Sequence, residues 1–237
     1  MSQIAPKIEV EARPSSILLD PRETAVLVVD MQQGFFGLGG GWDRAGVDVA
    51  GAQAILAPLA RTLAAAREAG LPIVYLTAEF GVPTGDARLW DAARGERWME
   101  LAGVAGGAGH GRTLPPGVRE GDILPDVAPM PGETVIVKRR FSGFYETSLQ
   151  AVLQERGIGT LIIAGGTTSV CVESTLRDAY FRDYRCLLLS DCTAEPIGHG
   201  LARTNHDATL LMVEVLFGWV TTSEHFIQAL ALMPPIS

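Results

Sequence analysis

Thr160-Leu-Ile-Ile-Ala-Gly-Gly-Thr-Thr-Ser-Val-Cys-Val-Glu-Ser-Thr-Leu-Arg-Asp178 holds an apolar run, a Gly-Gly turn and the opening of a helix. The run Thr160–Ala164 shows no period-two polar gap, which is the pattern of a strand in a parallel sheet covered on both faces. Gly165-Gly-Thr-Thr-Ser-Val170 then turns the chain, and Thr168 or Ser169 is a candidate cap for a helix reaching about Arg182. Cys171 thus falls in the first turn after a strand's carboxyl end, the place where open α/β sheets bind ligands.

The same strand-then-helix pattern recurs on either side. Ala25–Val29, Pro72–Thr77, Thr134–Val137 and Cys186–Leu189 read as further buried strands, with Val220-Thr-Thr222 as an edge strand. Between them, Val49–Ala69 reads as one helix, stopped by Gly70-Leu-Pro72. Thr147-Ser-Leu-Gln150 resembles a capping box opening a helix that ends at Gly157. Further helices are expected over 200–215 and 223–231. This alternation predicts a doubly wound, mostly parallel α/β sheet flanked by helices. The 237 residues suit a single domain. Residues 1–20 are expected to form an N-terminal arm, and the Gly-, Pro-, Arg- and Trp-rich stretch 80–129 an inserted loop or lid.

Composition narrows the function. Apolar residues are 47% and charged residues 19%, which supports a large core and excludes disorder. No apolar run approaches the roughly 18 residues of a membrane span. The N-terminus lacks the apolar core of a secretory signal. A net charge of -8 argues against a nucleic-acid surface. Three cysteines fit a reducing compartment better than a disulfide scaffold, so a cytoplasmic location is expected.

Three residues carry chemistry. Asp30 follows Ala25–Val29, Lys138 follows Thr134–Val137, and Cys171 opens the helix after Thr160–Ala164. Adjacent strand ends lie roughly 5–10 Å apart, so a carboxylate, an ammonium and a thiol can meet in one crevice. A thiol in a first helical turn is expected to have a lowered pKa, and free N–H groups there are candidate oxyanion donors. Cys186 and Cys192 fit buried, inert cysteines better. The glycine clusters Gly37–Gly41 and Gly106–Gly111 lack phosphate-loop spacing, which weighs against a nucleotide-binding module, and no G-x-S-x-G elbow occurs.

Val28-Val-Asp-Met-Gln32, Lys138 ahead of Phe141–Thr147, and Gly165–Asp178 together resemble the isochorismatase-like cysteine hydrolases. The similarity spans about residues 12–230, and within the family it is strongest to the ureido-cleaving amidohydrolases of the ureidoacrylate type. The resemblance implies a six-stranded parallel sheet and a catalytic set of Asp30, Lys138 and Cys171. It also implies a cis peptide before Thr167, an oxyanion hole from the backbone N–H groups of Thr167 and Cys171, and assembly as a dimer or tetramer. Phe35, Phe144 and Tyr145 fall where relatives line the substrate pocket. Glu79 stands where ureidoacrylate-type relatives carry an amide-bearing segment, and would discourage an anionic substrate if it faced the pocket.

The implied reaction is hydrolysis of a C–N bond in a small ureido, carbamoyl or carboxamide compound through a thioester, releasing ammonia or carbamate. Biuret, maleamate and N-carbamoylsarcosine are alternative substrates. Vinyl-ether hydrolysis of the true isochorismatase kind needs no thiol, and Cys171 weighs against it. The four histidines, at 110, 199, 206 and 225, show no ligand spacing, so neither metal nor other cofactor is expected.

Overall fold

The computed structural model of the chain describes residues 7–79, 112–198 and 201–233. Most of the expected insertion, 80–111, lies outside them, as do the first six residues and the start of the helix expected from 200.

Six strands form one parallel sheet: β3 (Thr24–Val29), β4 (Ile73–Ala78), β5 (Thr134–Lys138), β6 (Thr160–Gly166), β7 (Arg185–Ala194) and β8 (Trp219–Thr221). Their spatial order is β5-β4-β3-β6-β7-β8. The chain winds outward from β3 on one side and from β6 on the other. The carboxyl ends of β3 and β6 therefore form the topological switch point.

Side-chain alternation along the central strands feeds two cores. Val26, Val28, Ile73, Tyr75, Ile162 and Ala164 pack on one face with α4 (Leu56–Glu68) and α8 (Ser223–Ala231). Ala25, Leu27, Val29, Val74, Leu161 and Ile163 pack on the other with α5 (Leu149–Glu155) and α6 (Glu173–Tyr180). A sheet covered on both faces explains why these strands read as unbroken apolar runs. Strand β5 departs from that reading. Val135 and Val137 are exposed while Ile136 and Lys138 are buried, so only one face of this outermost strand packs on the described core.

Local signals account for three departures among the helices. The helix expected over 49–69 is broken into α3 (Ala50–Ala54) and α4. Pro58 has no N–H to give the Ala54 carbonyl and its ring crowds that position. The capping box at Thr147 does not form as drawn: the Thr147 hydroxyl accepts from Leu149 N–H, two residues on, and donates to the Gly143 carbonyl. After β6 the chain enters a π-turn, Thr168–Val172, before α6, and no side chain of Thr167, Thr168 or Ser169 caps it.

The N-terminal segment is more than an arm. β1 (Ile8–Val10) and β2 (Ile17–Leu19) pair antiparallel, and Ile8, Val10, Ile17 and Leu19 are buried in the first core. Arg13 exchanges both backbone hydrogen bonds with Val220, covering the outer edge of β8. The described end of the insertion is likewise attached: residues 120–124 run beside 31–34 through backbone bonds from Gln33, Gly34 and Leu124. Asp43, almost wholly buried, holds Arg112 bidentately at 2.8 and 3.0 Å.

Candidate active site

Asp30 leaves β3 with φ +51°, a left-handed conformation that Asp tolerates better than most side chains. Its N–H still donates to the Leu76 carbonyl on β4, and its own carbonyl accepts from Gln32 N–H at 2.8 Å. Gln32, which sequence reasoning quoted only within a motif, fastens this corner. Its side-chain oxygen accepts Ala78 N–H at 2.6 Å, and its amide donates to the carbonyls of Ala78 and Gly121. The ends of β3 and β4 and the returning insertion are thereby tied together.

Lys138 is the last residue of β5, two strands away from β3, in register with Ala78. Its long side chain crosses the end of β4. Its ammonium lies 2.7 Å from Asp30 Oδ2, 3.3 Å from Cys171 Sγ and 3.1 Å from the Arg140 carbonyl. An ammonium's N–H groups suit acceptors of each of these kinds.

Cys171 sits inside the π-turn. Two glycines let that turn approach. A Cβ on Gly165 (φ +115°) would meet the Val29 carbonyl oxygen at 2.1 Å, and one on Gly166 would meet the Phe36 ring at 2.4 Å. The Gly166-Thr167 peptide is cis, as the resemblance implied. The Thr167 carbonyl accepts from Val170 and Val172 N–H.

The three side chains are 2, 0 and 6% exposed for Asp30, Lys138 and Cys171, and this burial governs their protonation. Burial pushes the Asp30 carboxyl above its usual value, opposed chiefly by the Lys138 charge 2.7 Å away. Burial, then the Asp30 charge, pushes the Cys171 thiol well above the usual thiol range, with Lys138 opposing. The expectation that a helix N-terminus acidifies this thiol is therefore corrected. Desolvation in a closed site outweighs a partial dipole charge and holds the thiol toward its neutral form. Such a thiol needs a base at the moment of attack, and Asp30, which shares the Lys138 ammonium with it, is the neighbouring carboxylate. Cys186 and Cys192 are pushed up to about 12, chiefly by burial.

The structure places the other expected site residues as follows. Phe35 is half-buried against Trp42 and Phe36, and it is Phe36 that abuts Gly166. Phe144 is buried in the core, its ring 5.8 Å from Tyr184 and beneath the Arg182 guanidinium, so its ring is used for packing. Tyr145 is exposed, with Arg140 over its ring. Glu79 is exposed at the end of β4, where its N–H donates to the Lys138 carbonyl. Among the described residues no group of three His, Cys, Asp or Glu side chains is placed to hold a metal, and no helix is long and apolar enough to cross a membrane.

An isochorismatase domain model matches residues 24–225. The chain is 36% identical to the ureidoacrylate amidohydrolase RutB of Variovorax paradoxus (strain S110), over 96% of this chain and 88% of that one. It is 36% identical to the RutB protein of Agrobacterium fabrum (strain C58 / ATCC 33970), over 95% and 98%. A cysteine hydrolase from Pseudomonas syringae pv. phaseolicola 1448A superposes with a TM-score of 0.70 at 26% identity, covering 98% and 99% of the two chains. A family-model match over residues 24–225, relatives at 36% identity and a shared fold, each across nearly the whole chain, leave one conclusion: the chain is a hydrolase of the isochorismatase family.

Proposed function

We propose that the protein is a cysteine amidohydrolase that cleaves a C–N bond of a small ureido, carbamoyl or carboxamide compound through a thioester on Cys171. Hydrolysis at a C–N amide bond is the reaction class named for its relatives. The observation that carries the finer reading is the buried contact of Asp30, Lys138 and the Cys171 thiol at the switch point.

Asp30 takes the thiol proton as Cys171 Sγ attacks the substrate carbonyl carbon. The Lys138 ammonium, 3.3 Å from the sulfur, balances the transient thiolate. The backbone N–H groups of Thr167 and Cys171 receive the developing oxyanion, where one such donor is typically worth about 3–4 kcal/mol. Protonated Asp30 then passes its proton to the departing nitrogen, which leaves as ammonia or an amine, and the acyl group stays on sulfur. Asp30 next removes a proton from water, which attacks the thioester. Collapse expels the thiolate, which recovers the proton from Asp30. A cytoplasmic homo-oligomer acting on a small molecule, with no nucleic-acid or membrane partner, completes the reading, supported by the acidic, cysteine-poor composition and the family.

Two measurements test it. An ammonia-release screen over ureidoacrylate, biuret, maleamate and N-carbamoylsarcosine, with acid quench and peptide mass spectrometry, should find one substrate whose acyl group is carried by the Cys171 peptide. Unimpaired turnover after selective alkylation of Cys171 would overturn the mechanism. The acid limb of kcat/KM supplies the second. Asp30 acts as a base only when ionised, and burial raises its pKa above 3.8, so activity is lost on acidification at a pH above that value. An acid limb at or below the ordinary carboxylate pKa contradicts the assignment of Asp30.

A further inference from the structure

A buried carboxylate at the end of β7 is used by none of the steps above. Past a register shift opposite Ile163 and Gly165, β7 pairs Thr193 with Gly165 and Ala194 with Gly166. The next residue, Glu195, is thereby delivered against the turn that holds Cys171. It is 8% exposed. Its Oε2 accepts Ser169 N–H at 2.8 Å and its Oε1 accepts Ile197 N–H at 2.8 Å. Ser169 lies between Thr167 and Cys171, the two residues assigned to the oxyanion hole.

The π-turn has no side-chain cap of its own. Its wide hydrogen-bond spacing is less favourable than an α-helical turn, and such turns persist where something outside holds them. Besides the Lys138 contact with Cys171, Thr168 Oγ1 lies 3.1 Å from His206 Nδ1, and Glu195 holds the Ser169 amide. A carboxylate-to-amide bond is the stronger kind, and only a carboxylate offers one oxygen to each of two amides.

We propose that Glu195 is a positioning residue for the nucleophile turn. It fixes the Ser169 amide so that Cys171 Sγ and the N–H groups of Thr167 and Cys171 keep the relative placement that acyl transfer needs. A negative charge beside the turn disfavours a thiolate, so the sign of its charge excludes a role in acidifying the thiol. What Glu195 contributes is geometry. The assignment rests on Cys171 being the nucleophile, and the test separates the two.

The full-length wild type is compared with E195A, E195Q and C171A in two readouts. The first is the rate of alkylation of each cysteine by iodoacetamide at neutral pH, resolved by peptide mass spectrometry. In E195A the loosened turn exposes the thiol and a repelling charge is gone. Cys171 should label at least about five-fold faster, with Cys186 and Cys192 as slow as in the wild type. The second is steady-state hydrolysis of ureidoacrylate. There kcat should fall about 10- to 100-fold with KM changed less than about three-fold, the pattern of misplaced reacting groups. E195Q keeps one acceptor and should lie between E195A and the wild type in both. A thiol that becomes easier to alkylate while hydrolysis slows is the signature of lost positioning, since general unfolding would expose all three cysteines.

Cys171 labelling in E195A within about two-fold of wild type overturns the proposal, as does equal labelling of all three cysteines in E195A. If E195A fails to fold, E195Q decides: faster, selective labelling of Cys171 supports the role and wild-type labelling refutes it. Activity surviving in C171A would instead refute the nucleophile. A wild type inert toward ureidoacrylate would refute that substrate, with the labelling result still deciding Glu195.

Discussion

Replacing Cys171 by Ala should reduce turnover of the substrate identified in the screen by on the order of 10⁴-fold or more, with the fold retained. Loss of a covalent nucleophile removes the route through the thioester, and the backbone donors alone recover only a small part of the rate. The fold should survive because the change deletes one sulfur from a turn otherwise held by Gly165, Gly166 and backbone bonds. Cys171→Ser should be nearly as inactive, since an alcohol is far harder for Asp30 to deprotonate than a thiol. Cys186→Ala and Cys192→Ala supply the contrast. Both sulfurs lie in the core, the former bonded only to the Leu176 and Tyr184 carbonyls, and neither change should move kcat more than about two-fold. The checks are steady-state ammonia release and thermal unfolding of each variant. A Cys171→Ala protein with near-wild-type rates would end the covalent reading.

Replacing Lys138 by Met should abolish activity and cost stability as well. Lys138 is wholly buried and pairs with an almost wholly buried carboxylate, so its removal leaves Asp30 charged and uncompensated. Breaking a buried pair in this way typically costs about 3–5 kcal/mol. The loss should depend on pH in a definite sense. The Lys138 charge pulls the Asp30 pKa down against burial, so without it that pKa rises further above 3.8. A carboxyl whose folded pKa exceeds its unfolded value binds protons more tightly when folded, so stability falls as pH rises through the interval between the two. The gap in unfolding temperature between Lys138→Met and wild type should therefore narrow as pH drops toward the ordinary carboxylate range. Asp30→Asn/Lys138→Met, with neither charge of the pair left, should recover much of the stability and none of the activity. Thermal unfolding across the acid-to-neutral range checks all three. A gap that widened on acidification would refute the ion-pair account.

Much of this was legible along the chain because its signals are local. The runs at Ala25–Val29 and Thr160–Ala164 carry the mark of strands buried on both faces, and the residues following them mark ligand-binding ends. Other features depend on partners distant in sequence. Glu195 and Gln32 show no pattern in the one-dimensional record, since their bonds reach Ser169 and Ala78, 26 and 46 positions away. Phe144 and Phe36 illustrate the same point: both aromatics are buried in the core, and only the fold sets Phe36 against Gly166.

From the order of residues alone came the strand-helix alternation, the parallel sheet, and three reactive groups each at a strand's carboxyl end. Backbone chemistry and side-chain hydrophobicity act within a few residues, which is why these could be read. Strand order and the surroundings of the reactive side chains could not. Only the assembled sheet put β4 between β3 and β5, so that Lys138 reaches its partner across another strand. Only closure of the site around Asp30 and Cys171 made desolvation the stronger influence on the thiol, reversing the direction that a helix terminus suggests. Protonation is set by everything within a few ångströms, and that neighbourhood exists only once the chain has folded.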